Sequence, residues 1–363
     1  MINASTVHAL SINQMANELL TTMGDFSSMV QGDMGSGKSS LLYMLADKLP
    51  THTPIYFDST TKDVGDMMIP NFKMLEHGDV VSFATNEELG FHIRKPIILM
   101  IDEFGKATPG VKNALLRVLY ERKCAGKTLH PDSIVFGTTN LGAEGLSDLI
   151  PPHARNRITI YTMRKPNVDE TIHYGINHNW DPSVLQWIKE NPQVCQSFTE
   201  VDNPADNVYI FHPKAQREAF CTGRSMERAS TICKKRDLRG EAGTASALAG
   251  TIGARAAADL QAFVELADRM PRLQDIKDNP ETALLPQGGA ATYMVVFRTL
   301  TSIDRDWIGA WMKYLPRLSA EGQSLFCNGV RAEGYGKAAL VLNTKTWQQW
   351  AYSNSHLFAA DIV

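Results

Sequence analysis

Eight consecutive residues, Gly32-Asp33-Met34-Gly35-Ser36-Gly37-Lys38-Ser39, set three glycines, a lysine and a hydroxyl at the spacing G-x-x-x-x-G-K-[S/T]. Gly32, Gly35 and Gly37 allow positive φ and let main-chain N–H groups approach anionic oxygens that a Cβ would hold off. Lys38 offers a compact positive charge to β and γ phosphates, and Ser39 offers an oxygen to Mg²⁺. Asp33, Met34, Ser36 and Ser40 complete the stretch expected to wrap the phosphate chain. The chemistry these residues suit is the gripping of ATP or a related triphosphate together with its magnesium.

A second group follows some sixty residues on. Ile97-Ile98-Leu99-Met100-Ile101-Asp102-Glu103 is an apolar run ending in two carboxylates, the pattern in which a strand delivers an Asp to the metal and a Glu to the attacking water. Asp102 is thus a metal candidate and Glu103 a general-base candidate. A third run, Ser133 to Asn140, ends on an amide that could orient the water or sense the γ-phosphate; a turn asparagine is the alternative for Asn140.

These groups need elements to hold them. An apolar stretch ending in Met29-Val30 precedes the glycine loop, and Leu41, Leu42, Leu45 and Leu49 follow it at helical spacing, so strand, loop and helix come in the order that phosphate binding requires. Further strands are expected at Pro54 to Phe57, Ile97 to Ile101, Ser133 to Thr138 and Ile158 to Tyr161. Helical stretches separate them, among them one from Ser11 to Met23 and one opened by Thr108 as N-cap with Pro109 in its first position. The alternation predicts an α/β fold with a parallel sheet covered by helices. The long connection from Asp58 to Pro96, with the strand-like piece Val80-Val81-Ser82-Phe83, and a hairpin within Glu121 to Asp132 read as inserts on that frame.

From Lys165 onward strand signals fade and helical patterns take over. The small residues of Ala242 to Ala258 suit closely packed helices, and Pro271 to Pro286 leads into helices carrying Trp307, Trp311, Trp347 and Trp350. Chain length allows two or three domains: 363 residues, with boundaries expected near 164 and 275.

A formal net charge of −3 gives no global basic footprint for nucleic acid. The five cysteines include no C-x-x-C pair and the ten histidines no H-E-x-x-H, so a metal other than magnesium is not suggested and the thiols read as reduced and mostly buried. The first lysine is Lys38, which argues against a secretory signal, and Pro96 to Ile101 is too short to cross a bilayer. A cytoplasmic protein with no membrane partner is expected.

The order of Gly32 to Ser39, Ile101-Asp102-Glu103, Asn113 to Arg122, Gly137-Thr138-Thr139-Asn140 and Ile150-Pro151-Pro152-His153-Ala154-Arg155-Asn156-Arg157 resembles the AAA+ ATPases of the MoxR and dynein-related branch. The likeness extends to Phe211-His212-Pro213 and Thr222 to Arg228, and more vaguely to phage and bacterial members beyond Asp275. It implies a P-loop ATPase domain over 1–164, a helical lid over 165–275 and a helical extension over 276–363. Asn140 would be the first sensor. Arg157 would be the arginine finger offered to a neighbouring subunit, with Arg155 as the other candidate because Asn156 stands where the family usually has an acid or serine. Arg224 would be the second sensor, with Arg228 one turn along as its rival.

The resemblance further implies ATP and Mg²⁺ as cofactors, a homohexameric ring, and a client protein remodelled by it, such as one carrying a von Willebrand factor A domain. The rival class is a DNA-handling ATPase such as a helicase loader, in which Lys62, Lys73, Arg94, Lys95 or the Lys234-Lys235-Arg236 cluster would meet phosphates. A scaffold that assembles with ATP but turns over too slowly to do work is the third reading.

Overall fold

A computed structural model of the chain describes residues 8–71, 82–141, 156–268, 270 and 272–354. Lys73, Val80, Val81 and the run from Ile150 to Arg155 lie outside the described residues. The chain divides into two compact units, Met1–Pro166 and Asn167–Val363.

In the first unit a five-stranded parallel sheet is built from β1 (Ser28–Gly32), β2 (Thr53–Asp58), β5 (Ile97–Asp102), β8 (Ile134–Asn140) and β9 (Thr159–Met163), in the spatial order β2-β5-β8-β1-β9. Every residue of β5 is buried, as a strand covered on both faces requires, and the alternation of its side chains divides the core in two. Leu99 and Ile101 pack with Val111, Leu115 and Val118 of the helix Pro109–Glu121. Ile98 and Met100 pack on the other face with Met15 and Leu19 of the helix Ile12–Thr21 and with Leu41 and Leu45 of the helix Ser40–Lys48. The sheet is therefore the middle layer of three, which is the expected α/β fold class.

Local sequence accounts for the flanking helices. Ser11 and Gln14 form a reciprocal capping box at the start of Ile12–Thr21. Pro109 opens Pro109–Glu121 at a position whose N–H has no helical partner, but the Thr108 side chain makes no capping hydrogen bond, so proline and apolar packing carry that start. Two small hairpins interrupt the frame. β3 (Met68–Asn71) pairs antiparallel with β4 (Ser82–Thr85), inside the long connection. β6 (Lys123–Cys124) and β7 (Lys127–Thr128) are joined by Ala125 and Gly126, both at positive φ as a tight two-residue hairpin turn demands.

The second unit is helical among its described residues. Two of its helices, Val168–Asn177 and Gly223–Lys234, start at side-chain caps, Asn167 with Glu170 and Thr222 with Ser225. The small-residue stretch forms two helices, Arg236–Ile252 and Ala254–Asp268, divided at Gly253, where φ is 91° and a Cβ would stand 2.9 Å from the Ala219 carbonyl oxygen. One apolar cluster runs from Ile172 to Trp350, on both sides of residue 275. Trp307, Trp311, Trp347 and Trp350 lie inside it, with Phe326 5.3 Å from Trp311 and 6.0 Å from Trp347 between ring centroids. Cys124, Cys221, Cys233 and Cys327 are buried, and burial pushes the thiols of Cys233 and Cys327 up to about 12. Among the described residues no helix is long and apolar enough to cross a membrane.

Candidate functional site

The sheet order decides what meets at its C-terminal edge. β1 ends at Gly32 and β5 at Asp102, and β8 lies between them, paired with both. Gly32 is opposite Asn140 in the register, so the amide stands beside the first residue of the glycine loop. Ligands of open α/β sheets bind at this edge, outside the carboxyl ends of the strands.

The loop turns on glycine geometry. Gly35 and Gly37 have φ of 74° and 92°. A Cβ on Gly32 would lie 2.6 Å from the Met163 carbonyl oxygen and 3.1 Å from Ser36 Oγ, so only glycine lets the loop leave β1 this close to β9. The Lys38 ammonium donates to the carbonyl oxygens of Gly32 and Asp33, each at 2.8 Å, which folds the loop around its own lysine. Ser40 then begins the helix Ser40–Lys48. Asp33 and Ser36 are buried, and neither the Asp33 carboxylate oxygens nor Ser36 Oγ finds a hydrogen-bond partner among the described residues.

Ser39 reaches the second group. Its hydroxyl is 3.4 Å from Asp102 Oδ2, although the two residues are 63 apart in sequence. Three further side chains, none of them given a role from the sequence, also bond Asp102. Tyr56 donates its phenol proton to Oδ2 at 3.0 Å, Thr138 donates to Oδ1, and Ser59 donates to the main-chain carbonyl at 2.7 Å. The phenol is pushed above the ordinary tyrosine range by burial and then by the negative charge of Asp102, so it stays protonated and acts as donor.

Glu103 sits in the left-handed region at φ 55°, unusual for a residue with a side chain, and its N–H is held by Asp102 Oδ1 at 3.1 Å and Thr138 Oγ1 at 3.4 Å. Its carboxylate pairs with Lys106 at 2.5 Å, both side chains being about a third exposed.

Hydroxyl and carboxylate oxygens are hard donors, and Mg²⁺ bound to a phosphate chain needs only one or two of them from protein. Ser39 and Asp102 fit that requirement. No cluster of three or more His, Cys, Asp or Glu side chains fit to hold a metal unaided occurs among the described residues.

Arg157 is exposed, just before β9, with its guanidinium 5.1 Å from the centre of the Tyr120 ring. Arg155 is outside the described residues. Arg224 and Arg228 are exposed on the helix Gly223–Lys234 of the second unit.

No family model matches the chain, and no curated protein is significantly similar to it in sequence. Among solved structures, a variant of RuvB from Thermotoga maritima is similar over 73% of this chain and 73% of its own, with a TM-score of 0.38 and 14% identity. A second, described as the Thermotoga maritima RuvB Holliday junction branch migration motor, is similar over 69% of this chain and 67% of its own, with a TM-score of 0.36 and 14% identity.

Proposed function

We propose that the chain is a AAA+ ATPase of the MoxR and dynein-related branch that binds and hydrolyses ATP at the subunit interfaces of a homohexameric ring to remodel a partner protein. The observation that carries the reading is the meeting of the glycine loop with the acidic strand end, Ser39 Oγ standing 3.4 Å from Asp102 Oδ2 with Asn140 at the neighbouring strand end. In this reading Lys38 neutralises the β and γ phosphates, Ser39 and Asp102 hold the metal, Glu103 takes the proton of the attacking water and Asn140 orients it. Magnesium, when bound, supplies Lewis-acid stabilisation of the phosphoryl oxygens.

Arg157 or Arg155 completes the site of the adjoining copy, and Arg224 or Arg228 senses the γ-phosphate from the helical unit. A finger of this kind is worth about 10³–10⁵ in turnover, so hydrolysis should depend on assembly. The client is a protein, one with a von Willebrand factor A domain being the chemical type the resemblance suggests, and the two hairpins are the elements that would move against it.

Mixed rings test the sharing. Arg157→Ala and Lys38→Ala chains, each inactive alone, should recover part of the parental turnover when mixed, because some interfaces then pair an intact loop with an intact finger. Mixed assemblies that stay as inactive as either parent variant would exclude a shared site. Adding DNA to the same assay separates the rival class: a DNA-handling ATPase is stimulated, with an apparent affinity that falls steeply with salt, whereas this reading expects neither.

A further inference from the structure

We propose that Tyr56 is a positioning residue for the metal shell: its hydroxyl holds Asp102 Oδ2 in the orientation that a divalent cation bound with nucleotide requires. The inference rests on the ATPase reading above and adds a residue to it. The Asp102 carboxylate is held asymmetrically. Oδ1 is committed on the inner side, accepting from Thr138 and from the Glu103 N–H at 3.1 Å. Oδ2 faces the glycine loop and accepts from Ser39 at 3.4 Å and from Tyr56 at 3.0 Å, so the phenol is the shorter of its two contacts.

A carboxylate oxygen carries two lone pairs. With Tyr56 on one of them, the other is presented toward Ser39, the hydroxyl that shares the metal in this reading.

Strand geometry explains how tyrosine reaches the site. Among the described residues β2 is an edge strand of the sheet and pairs with β5 alone, with Asp58 opposite Asp102 and Tyr56 opposite Met100. Tyr56 is therefore the diagonal neighbour of Asp102 on the same face, a separation that a long aromatic side chain spans. At the edge the residue is 49% exposed, so its hydroxyl, not core packing, is what the position supplies. Phenylalanine there keeps the ring and removes the donor alone.

Removing an outer-shell hydrogen bond of this type lowers metal affinity about 10–100-fold. The test is Mn²⁺ binding to the ADP-saturated full chain, followed by electron paramagnetic resonance, for the parent and for Tyr56→Phe, alongside ADP affinity in EDTA and thermal melting. Tyr56→Phe is expected to bind Mn²⁺ about tenfold more weakly while ADP affinity without metal and the melting temperature stay at parental values. ATP turnover of the variant should then approach the parental rate as Mg²⁺ is raised. Equal Mn²⁺ affinity in the two proteins overturns the inference, and so does an equal loss of metal-free ADP binding, which would mark a purely structural role. A parent that binds no Mn²⁺ with ADP overturns both this inference and the ATPase reading.

Discussion

Asp33 is a carboxylate that stability alone would remove. It is buried, and both oxygens lack a hydrogen-bond partner among the described residues. An unsatisfied buried polar group costs about 1–3 kcal/mol, more when charged. Asp33→Ala is therefore expected to raise the melting temperature of the nucleotide-free chain, by about 2–4 °C for each kcal/mol relieved in a unit of this size. A calorimetric scan showing a lower transition would mean that Asp33 has a stabilising partner. Glu103 carries a second local cost: its left-handed backbone is worth about 1–3 kcal/mol of strain. The strain persists because Asp102 and Thr138 both grip its N–H. Two unfavourable residues, one just past the end of β1 and one just past the end of β5, are what a site selected for chemistry looks like, since activity and stability pull apart there.

Among the elements, β8 does most to assemble the site. By lying between β1 and β5 it places Asn140 beside Gly32 and brings Thr138 against Asp102. The close passage of β1 past β9 makes Gly32 intolerant of any side chain. Gly32→Ala would put a Cβ 2.6 Å from the backbone oxygen of Met163, which no rotamer can relieve. The expected loss is about 1–3 kcal/mol, the range for overpacking, read from chemical denaturation, together with weakened nucleotide binding. An unchanged denaturation midpoint would show that the strands separate freely. Much of this frame was legible in the sequence, because the signals are local: the unbroken apolar run of β5, the glycines of the loop, the helical spacing after Ser11. The supports of Asp102 were not. Thr138, Ser59 and Tyr56 reach it across 36, 43 and 46 residues, and a hydroxyl carries no local mark of the partner it will meet. Thr108 erred the other way: it has the residue type of a cap without the bond.

For the whole molecule, the two units divide the work by composition. Alternating strands and helices end at Pro166, and the following unit buries its tryptophans in one helical core, so those rings serve packing and are not a surface for a client. The chain is close to neutral, with a formal charge of −3, which gives no global basic footprint for a nucleic-acid track. The proposed ring and client rest in turn on one proposal, that three strand ends of the first unit form a single site for Mg²⁺·ATP hydrolysis. ATP binding and turnover of Lys38→Ala and Glu103→Gln, measured side by side with the parent, test that claim most directly. Lys38→Ala is expected to lose binding, while Glu103→Gln binds ATP like the parent and loses turnover by about 10²–10⁴-fold, the worth of a general base. Parental hydrolysis rates in either variant would contradict it.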